Sequence, residues 1–352
     1  MNITPCIQVR STSIVVYNKY ERSFRLRTDA QLKADENLTE QETYTGRLCP
    51  GAKKRLIKAI ELITQAAFKT KEFLYTSKKT LKEVRGTFKL NFITLTIHNP
   101  GKMIEGQEGH ALCLEPLLKW LRDHYGLKMY IWKAELQSNR EDVKQLHYHI
   151  TSDCFVPWYD LWLKWGQLNE AAGYLNDWFS RQPRVKIDQN GNEVINYPVA
   201  GTDVHSVYKI RDMAKYMRKC VCKNVRRKDG SIISEFKKEI QNAASVGGKV
   251  WDCSLNLKRE KYFTIECKDL YNNSFGRNER YMWIMNTIDT EAKNEGNKKV
   301  VTDNCTIYEF QKPAINVIPD FFVDEYLRAM ERILNYKRVV NFEPDPDYFS
   351  SS

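Results

Sequence analysis

Two histidines, His147 and His149, are the feature of the sequence that most constrains its fold. They stand two residues apart in the stretch Gln-Leu-His-Tyr-His-Ile-Thr at residues 145–151, whose aromatic and β-branched residues predict a strand. Successive strand side chains point to opposite faces, so both imidazoles are expected on one face and the apolar residues on the other. Two imidazoles side by side on an open sheet face favour a metal between them. The alternative is a pair of ordinary solvated histidines.

A carboxylate is expected opposite this pair. Residues 129–136 predict a strand on which Glu135 shares a face with Ile131 and Lys133. The polar loop at 137–144 has a length that suits a hairpin, which would bring Glu135 across from the histidines. The alternative is that Glu135 is an exposed carboxylate at the end of a strand.

Further strands and helices predict an α+β fold. Residues 88–97 predict a strand with Thr94 and Thr96 on one face and aliphatic residues on the other. The remaining predicted elements are a basic amphipathic helix at 52–73, a helix at 112–125 that Gly126 should end, a helix at 157–181 across the back of the sheet, a hairpin turn at 188–192, a short strand or helix entry at 203–207, strands at 248–251, 261–265 and 305–310, a polar loop at 289–304 and a helix at 322–336.

A helix at residues 207–223 carries the second informative pattern. Apolar residues at spacings of three and four form its buried stripe, and Tyr216 lies beside that stripe, three residues from Lys219. The neighbouring cations are Lys209, Arg211, Lys215, Arg218 and Lys223. Cations favour the phenolate form of a tyrosine whose ordinary pKa is about 10. The alternative is a tyrosine at the edge of a core.

Charge and cysteine usage narrow the class of protein. The 352 residues carry a net charge of +11, which favours a polyanionic partner, nucleic acid first, although solubility alone is the simpler reading. Nine cysteines without a C-x-x-C pair suit free thiols in a reducing compartment. The sequence lacks a secretory apolar region and any run long enough to cross a membrane, so we expect a soluble cytoplasmic protein with no membrane partner.

Three motifs in order resemble those of the HUH endonucleases, specifically the single-tyrosine rolling-circle replication initiators of small single-stranded DNA phages and plasmids. The motifs are Phe-Ile-Thr-Leu-Thr at 92–96, His-Tyr-His at 147–149 and Lys-Tyr-Met-Arg-Lys at 215–219. The resemblance covers residues 90–225. It implies a central antiparallel sheet with helices on one face and the active site on the other, flanked by N- and C-terminal extensions.

The resemblance also implies a chemistry. His147, His149 and, by position, Glu135 would hold Mg²⁺ or Mn²⁺, and imidazole nitrogens tilt the site towards Mn²⁺. Tyr216 would attack a phosphate of a single-stranded DNA origin, leaving a 5′-phosphotyrosine and a free 3′-OH, and the strand would later be rejoined. Lys219 would stabilise developing charge, and the cations around Tyr216 would bind DNA.

The sequence departs from many viral initiators because it contains no G-x-x-x-x-G-K-S/T loop, so a host helicase and polymerase are expected partners. Tyr208 lies on the stripe side of the helix and is not paired with Tyr216 as a second nucleophile. The expected organisation is an N-terminal extension at 1–85, a catalytic domain at 86–225, a C-terminal α/β extension at 226–342 and a disordered acidic tail at 343–352. The alternatives are a transposase or relaxase with the same chemistry, or a non-catalytic nucleic-acid-binding protein.

Overall fold

A computed structural model describes residues 3–20, 50–67, 69–76, 82–97, 104–136, 145–175, 184–187, 193–196, 201–207, 246–267 and 277–334. The strands are β1 (Ile3–Val9), β2 (Ser13–Tyr20), β3 (Lys71–Thr76), β4 (Glu83–Phe88), β5 (Leu90–Thr96), β6 (Tyr130–Leu136), β7 (Leu146–Ser152), β8 (Arg184–Ile187), β9 (Glu193–Asn196), β10 (Thr202–Val207), β11 (Trp251–Cys253), β12 (Phe263–Glu266), β13 (Lys298–Val301) and β14 (Cys305–Glu309). The α-helices longer than four residues in the described part of the chain are α1 (Pro50–Ala66), α2 (Glu115–Tyr125), α3 (Trp158–Ala171), α4 (Leu255–Arg259), α5 (Arg277–Ala292) and α6 (Asp320–Leu334). A four-residue helix at Gly106–Gly109 and a π-helix at His110–Leu114 precede α2, so the first residues of the helix predicted at 112–125 are π-helical, and a 3-10 helix lies at Ala314–Asn316.

One five-stranded antiparallel sheet contains the histidine strand at its centre. Its order is β10-β5-β7-β6-β11. Strands β6 and β7 pair so that Glu135 lies directly opposite His147, as the sequence predicts. We call this the histidine sheet, and its two faces are the histidine face and the helix face.

The helix face is closed by α2 and α3. Ile93, Tyr148 and Ile150 are fully buried there, in one apolar cluster with leucines of α2 and with Trp165 of α3. The predicted packing of the helix at 157–181 across the back of the sheet is therefore confirmed. Gly126 ends α2 with φ of 65°, the left-handed conformation that glycine adopts without steric cost.

A second five-stranded antiparallel sheet joins both ends of the chain, in the order β12-β1-β2-β14-β13. Its strands come from both predicted extensions, 1–85 and 226–342. Helix α1 buries its stripe of Leu56, Ile60 and Ile63 in the cluster that also contains buried residues of this sheet. The same cluster includes Leu90 and Ile131, so apolar packing also closes one end of the histidine face.

The predicted α+β class is confirmed. Strands β8 and β9 pair on either side of the predicted turn at 188–192. The residues predicted as a strand or helix entry at 203–207 belong to strand β10. The strand at 305–310 and the helix at 322–336 are found as β14 and α6, and β12 covers most of the strand at 261–265.

Four predicted boundaries are wrong for physical reasons. The helix at 52–73 ends at Ala66, because residues 71–76 pair with β4 as a strand. The helix at 157–181 ends at Ala171, where Gly173 follows with φ of 73°. The strand at 248–251 begins only at Trp251, since Gly247 and Gly248 both have positive φ. The loop at 289–304 contains the end of α5 and all of β13.

Several predictions fall outside the described residues: the loop at 137–144, the helix from residue 208 onward with Tyr216, Lys219 and the surrounding cations, and the tail at 343–352. The predicted domain boundaries stay predictions. None of the helices in the described part of the chain combines the length and apolarity needed to cross a bilayer.

Candidate metal centre

The histidine face is organised as rows of residues that lie directly opposite one another on β5, β7 and β6. The outer row is Thr96, His147 and Glu135, and the next row is Thr94, His149 and Lys133. Residues opposite one another in an antiparallel pair point to the same face. The pairing of three strands therefore brings two imidazoles, one carboxylate, two hydroxyls and one ammonium together.

Glu135, His147 and His149 form a potential metal-binding cluster. Each offers one ligand atom, and these atoms lie within 4.8 Å of one another. Glu135 Oε1 is 3.0 Å from His149 Nε2, and the two imidazole ring centroids are 4.5 Å apart. The predicted sharing of one face by the three residues is confirmed. Two imidazole nitrogens and one carboxylate oxygen are a donor set that could hold a divalent metal ion.

Lys133 lies beside this cluster, on the face that the strand alternation predicts for it, although the sequence did not mark it as a site residue. Its Nζ is 2.5 Å from Glu135 Oε2, and only 8% of its side chain is exposed. Glu135 therefore lies between His149 on one carboxylate oxygen and Lys133 on the other. The signal in the sequence was the alternation Ile131-x-Lys133-x-Glu135, which places the lysine between the carboxylate and the apolar end of the face.

The protonation states suit a cation site. Burial alone would raise the pKa of the Glu135 carboxyl, but the hydrogen bond with His149 and the charge of Lys133 outweigh it and hold that pKa well below its usual range. Burial, with the neighbouring His149 as the second cause, lowers the pKa of His147 to about 4. At neutral pH Glu135 is thus ionised and His147 is neutral, the forms that bind a metal.

Both histidines have a threonine beside the ring nitrogen Nδ1. Thr96 Oγ1 is 2.8 Å from His147 Nδ1, and Thr94 Oγ1 is 3.3 Å from His149 Nδ1. Phe92, in the next row of β5, stacks against the His149 ring with the ring centroids 5.5 Å apart. The Phe-Ile-Thr-Leu-Thr motif therefore lines the histidines along one side.

The face continues onto the edge strand β10. Asp203 lies opposite Thr94, and His205 lies opposite Phe92. Asp203 Oδ2 is 2.5 Å from His205 Nε2, and both side chains are more than half exposed. Residues 203–207 were predicted as a strand or helix entry, and their position beside the candidate site follows only from the pairing of β10 with β5.

The structure thus brings together the three predicted metal ligands. It does not test the remaining predicted site residues, because Tyr216, Lys219 and the cations Lys209, Arg211, Lys215, Arg218 and Lys223 lie outside the described residues. Comparison with known proteins adds no relative: no protein-family model, curated protein or solved structure matches this chain.

Proposed function

We propose that this chain is a metal-dependent DNA-nicking enzyme of the HUH type, with a single tyrosine nucleophile, that initiates rolling-circle replication. One observation supports the proposal above the others. Glu135, His147 and His149 converge on one face of an antiparallel sheet, beside the strand that carries Thr94 and Thr96. The resemblance of the three motifs predicts that these residues lie together. If their spacing in the sequence were accidental, there would be no reason for their side chains to converge.

Glu135, His147 and His149 would hold the cation, Mn²⁺ or Mg²⁺. A divalent cation held there supplies positive charge beside a non-bridging oxygen of the scissile phosphate. Glu135 is anionic and His147 is neutral at pH 7, so neither residue has to lose a proton to bind. Lys133 contacts Oε2 of Glu135, and the other carboxylate oxygen, Oε1, faces His149.

The proposed nucleophile is the phenolate oxygen of Tyr216, which forms a bond to phosphorus while the bond from phosphorus to the 3′ oxygen breaks. The 3′ oxygen takes up a proton and becomes the 3′-OH, and the 5′ phosphate remains on the tyrosine. Attack by a 3′-OH on the phosphotyrosine reverses these steps and rejoins the strand. Lys219 would stabilise the charge that develops at the phosphate during both steps.

The substrate in this proposal is a single-stranded DNA origin, because the phosphate must reach both the tyrosine and the metal ligands in line. The cations Lys209, Arg211, Lys215, Arg218 and Lys223 would contact backbone phosphates on either side. A host helicase would open the duplex, and a host polymerase would extend the 3′-OH. A transposase or relaxase would use the same chemistry on a different DNA, whereas a binding protein would form no covalent bond.

The test is a search for the covalent intermediate. The protein is incubated with Mn²⁺ and a pool of single-stranded DNA fragments, and adducts are isolated under denaturing conditions and mapped by peptide mass spectrometry. We expect a nucleotide on Tyr216, no adduct with Tyr216→Phe and an unchanged yield with the matched variant Tyr208→Phe. An adduct on another tyrosine would overturn the assignment, and DNA binding without any adduct would favour the non-catalytic alternative.

A further inference from the structure

The two threonines of β5 contact the two histidines in the same way. In both contacts the hydroxyl lies beside Nδ1, at 2.8 Å for Thr96 with His147 and 3.3 Å for Thr94 with His149. Both contacts follow from the register of β5 and β7, in which each threonine lies directly opposite its histidine. In both rings Nδ1 is therefore the nitrogen beside β5, and Nε2 of His149 faces Oε1 of Glu135.

The position of Thr96 is fixed by its backbone. Its N–H donates to the carbonyl of Gly201 at 2.7 Å, and its carbonyl accepts from the indole Nε1 of Trp165 at 2.9 Å. Gly201 has φ of 59°, and a Cβ there would come within 2.8 Å of Thr96, so the close approach requires glycine. A β-branched side chain also has few rotamers, so the hydroxyl of Thr96 is held at one place beside the ring.

We propose that Thr94 and Thr96 are positioning residues that orient His149 and His147 for the cation. With the cation bound, the hydroxyl oxygen of each threonine would accept a hydrogen bond from Nδ1–H, which places the lone pair on Nε2 and fixes the plane of the ring. The inference rests on the metal-dependent function proposed above and assigns a role to the threonines of the first motif.

The chemistry of imidazole gives the reason. A neutral imidazole carries one proton, and the hydrogen bond made by one nitrogen decides which nitrogen remains free to bind a metal. Metal-ligating histidines usually donate their other N–H to a protein group, and loss of that group weakens metal affinity by about 10–100-fold. A hydroxyl suits this role at His149 because it can both donate and accept a hydrogen bond. In the metal-free protein the Thr94 hydroxyl can donate to Nδ1 while Nε2–H of the ring faces Glu135. Once Nε2 binds the cation, the same hydroxyl can accept from Nδ1–H.

The structure offers an internal control on the same face. Thr151 follows His149 on β7 and is fully buried, and its hydroxyl has no hydrogen-bond partner among the residues that the structure describes. It lies opposite Phe92 and Ile131, away from both ring nitrogens. Thr151→Val therefore removes a hydroxyl from the histidine face without removing a contact to a histidine.

The experiment measures Mn²⁺ affinity by calorimetry for the full chain and for Thr96→Val, Thr94→Val, Thr96→Ser and Thr151→Val. Valine keeps the shape of threonine and its preference for strands, so the fold should be retained, and circular dichroism checks this. We expect Thr96→Val and Thr94→Val to weaken binding at least about tenfold. Thr96→Ser should retain most of the affinity, and Thr151→Val should bind as the wild type does.

A second readout does not depend on the metal. Nitrogen-15 NMR of histidine rings distinguishes the two tautomers, and in the metal-free protein at pH 7 we expect His147 to carry its proton on Nδ1. Thr96→Val should shift His147 towards the other tautomer. If the wild type binds Mn²⁺ and both Thr96→Val and Thr94→Val bind it as tightly, this inference is wrong and the proposed function is unaffected. An Nε2–H tautomer of His147 in the wild type would also overturn this inference alone. A wild type that binds no Mn²⁺ would overturn the proposed function as well.

Discussion

Lys133 and Glu135 lie on the same face of β6, and the ammonium Nζ of Lys133 is 2.5 Å from the carboxylate Oε2 of Glu135. The side chain of Lys133 is 8% exposed and that of Glu135 is 28% exposed, so the pair is largely removed from water. The carboxylate therefore has two roles. It is the anionic ligand of the candidate metal centre, and it faces a buried positive charge that the fold has to accommodate.

The first prediction concerns stability. Glu135→Gln removes the carboxylate that faces the buried ammonium, and breaking such a pair on one side should cost about 3 kcal/mol in the free energy of unfolding. Glu135→Gln combined with Lys133→Met should recover much of this loss, because no buried charge is left without its carboxylate. Urea denaturation of the metal-free proteins measures both values. A double variant as unstable as the single one would contradict the coupling.

The second prediction concerns the metal ligands. His147→Ala and His149→Ala should abolish detectable Mn²⁺ binding and DNA cleavage, since each removes one of three ligands, while most of the fold is retained. The matched control is His124→Ala, because His124 is an exposed histidine at the end of α2. Calorimetry with Mn²⁺ and a nicking assay give the comparison. Normal cleavage by either ligand variant would show that the site is wrong.

The third prediction concerns Lys219. Lys219→Ala should slow cleavage by about 100-fold, the effect of removing one charge-stabilising donor, and should still yield the adduct at long times. Lys219→Arg keeps the positive charge and should recover part of the rate. Single-turnover kinetics with excess protein measures the rate of adduct formation. A rate unchanged by Lys219→Ala would remove this residue from the proposed mechanism.

The fourth prediction concerns binding to DNA. The affinity for single-stranded DNA should fall as salt rises, with a log–log slope of about −0.7 for each phosphate contacted. Lys215→Ala and Arg218→Ala should each reduce the slope by about 0.7. Lys298→Ala serves as the control, because Lys298 is exposed on the edge strand β13. An affinity independent of salt would mean that the net charge of +11 serves solubility only.

The fifth prediction concerns pH and Asp252 of β11. Burial alone would raise the pKa of this carboxyl, but hydrogen bonds from Lys258 and Lys249 outweigh burial and lower it. A folded-state pKa below the unfolded value stabilises the fold above the unfolded pKa, about 4, and the contribution is lost as pH falls through the folded value.

Asp252→Asn should therefore cost about 1 kcal/mol at pH 7, and the difference from the wild type should shrink as the pH falls below about 4. Urea midpoints at pH 7 and pH 3 provide the measurement. Asp303→Asn, in the exposed turn between β13 and β14, is the control for the loss of a surface carboxylate. A difference that persists unchanged at pH 3 would contradict the assignment to ionisation.

The histidine face was predictable because its signals are local. Alternation predicted the faces of His147, His149 and Glu135, and the small separation of the two strands in sequence predicted the pairing of β6 with β7 that the structure contains. The burial of Lys133 was not predictable in the same way, since it depends on the packing of neighbouring strands and of α1. Strand β13 was not predicted. All four of its residues are exposed, so its sequence has no alternation of apolar and polar residues.

The second sheet was the least accessible to sequence reasoning. Cys6 on β1 pairs with Glu266 on β12, and Tyr17 on β2 pairs with Cys305 on β14. Strands at the positions of β12 and β14 were predicted, but no short turn connects either of them to its partner in β1 or β2. The paired strands are separated by most of the chain, so the number of residues between them does not predict their register.

That pairing has a consequence for the newborn chain. The hairpin of β1 and β2 is synthesised before the strands that flank it in the finished sheet, which follow on the order of tens of seconds later. Ile7, Val9 and Ile14 are fully buried in the finished protein, and during that interval the two edges of the hairpin lack the strands that later pair with them. Slower elongation therefore prolongs the period in which the unpaired edges of this hairpin allow nascent chains to adhere to one another.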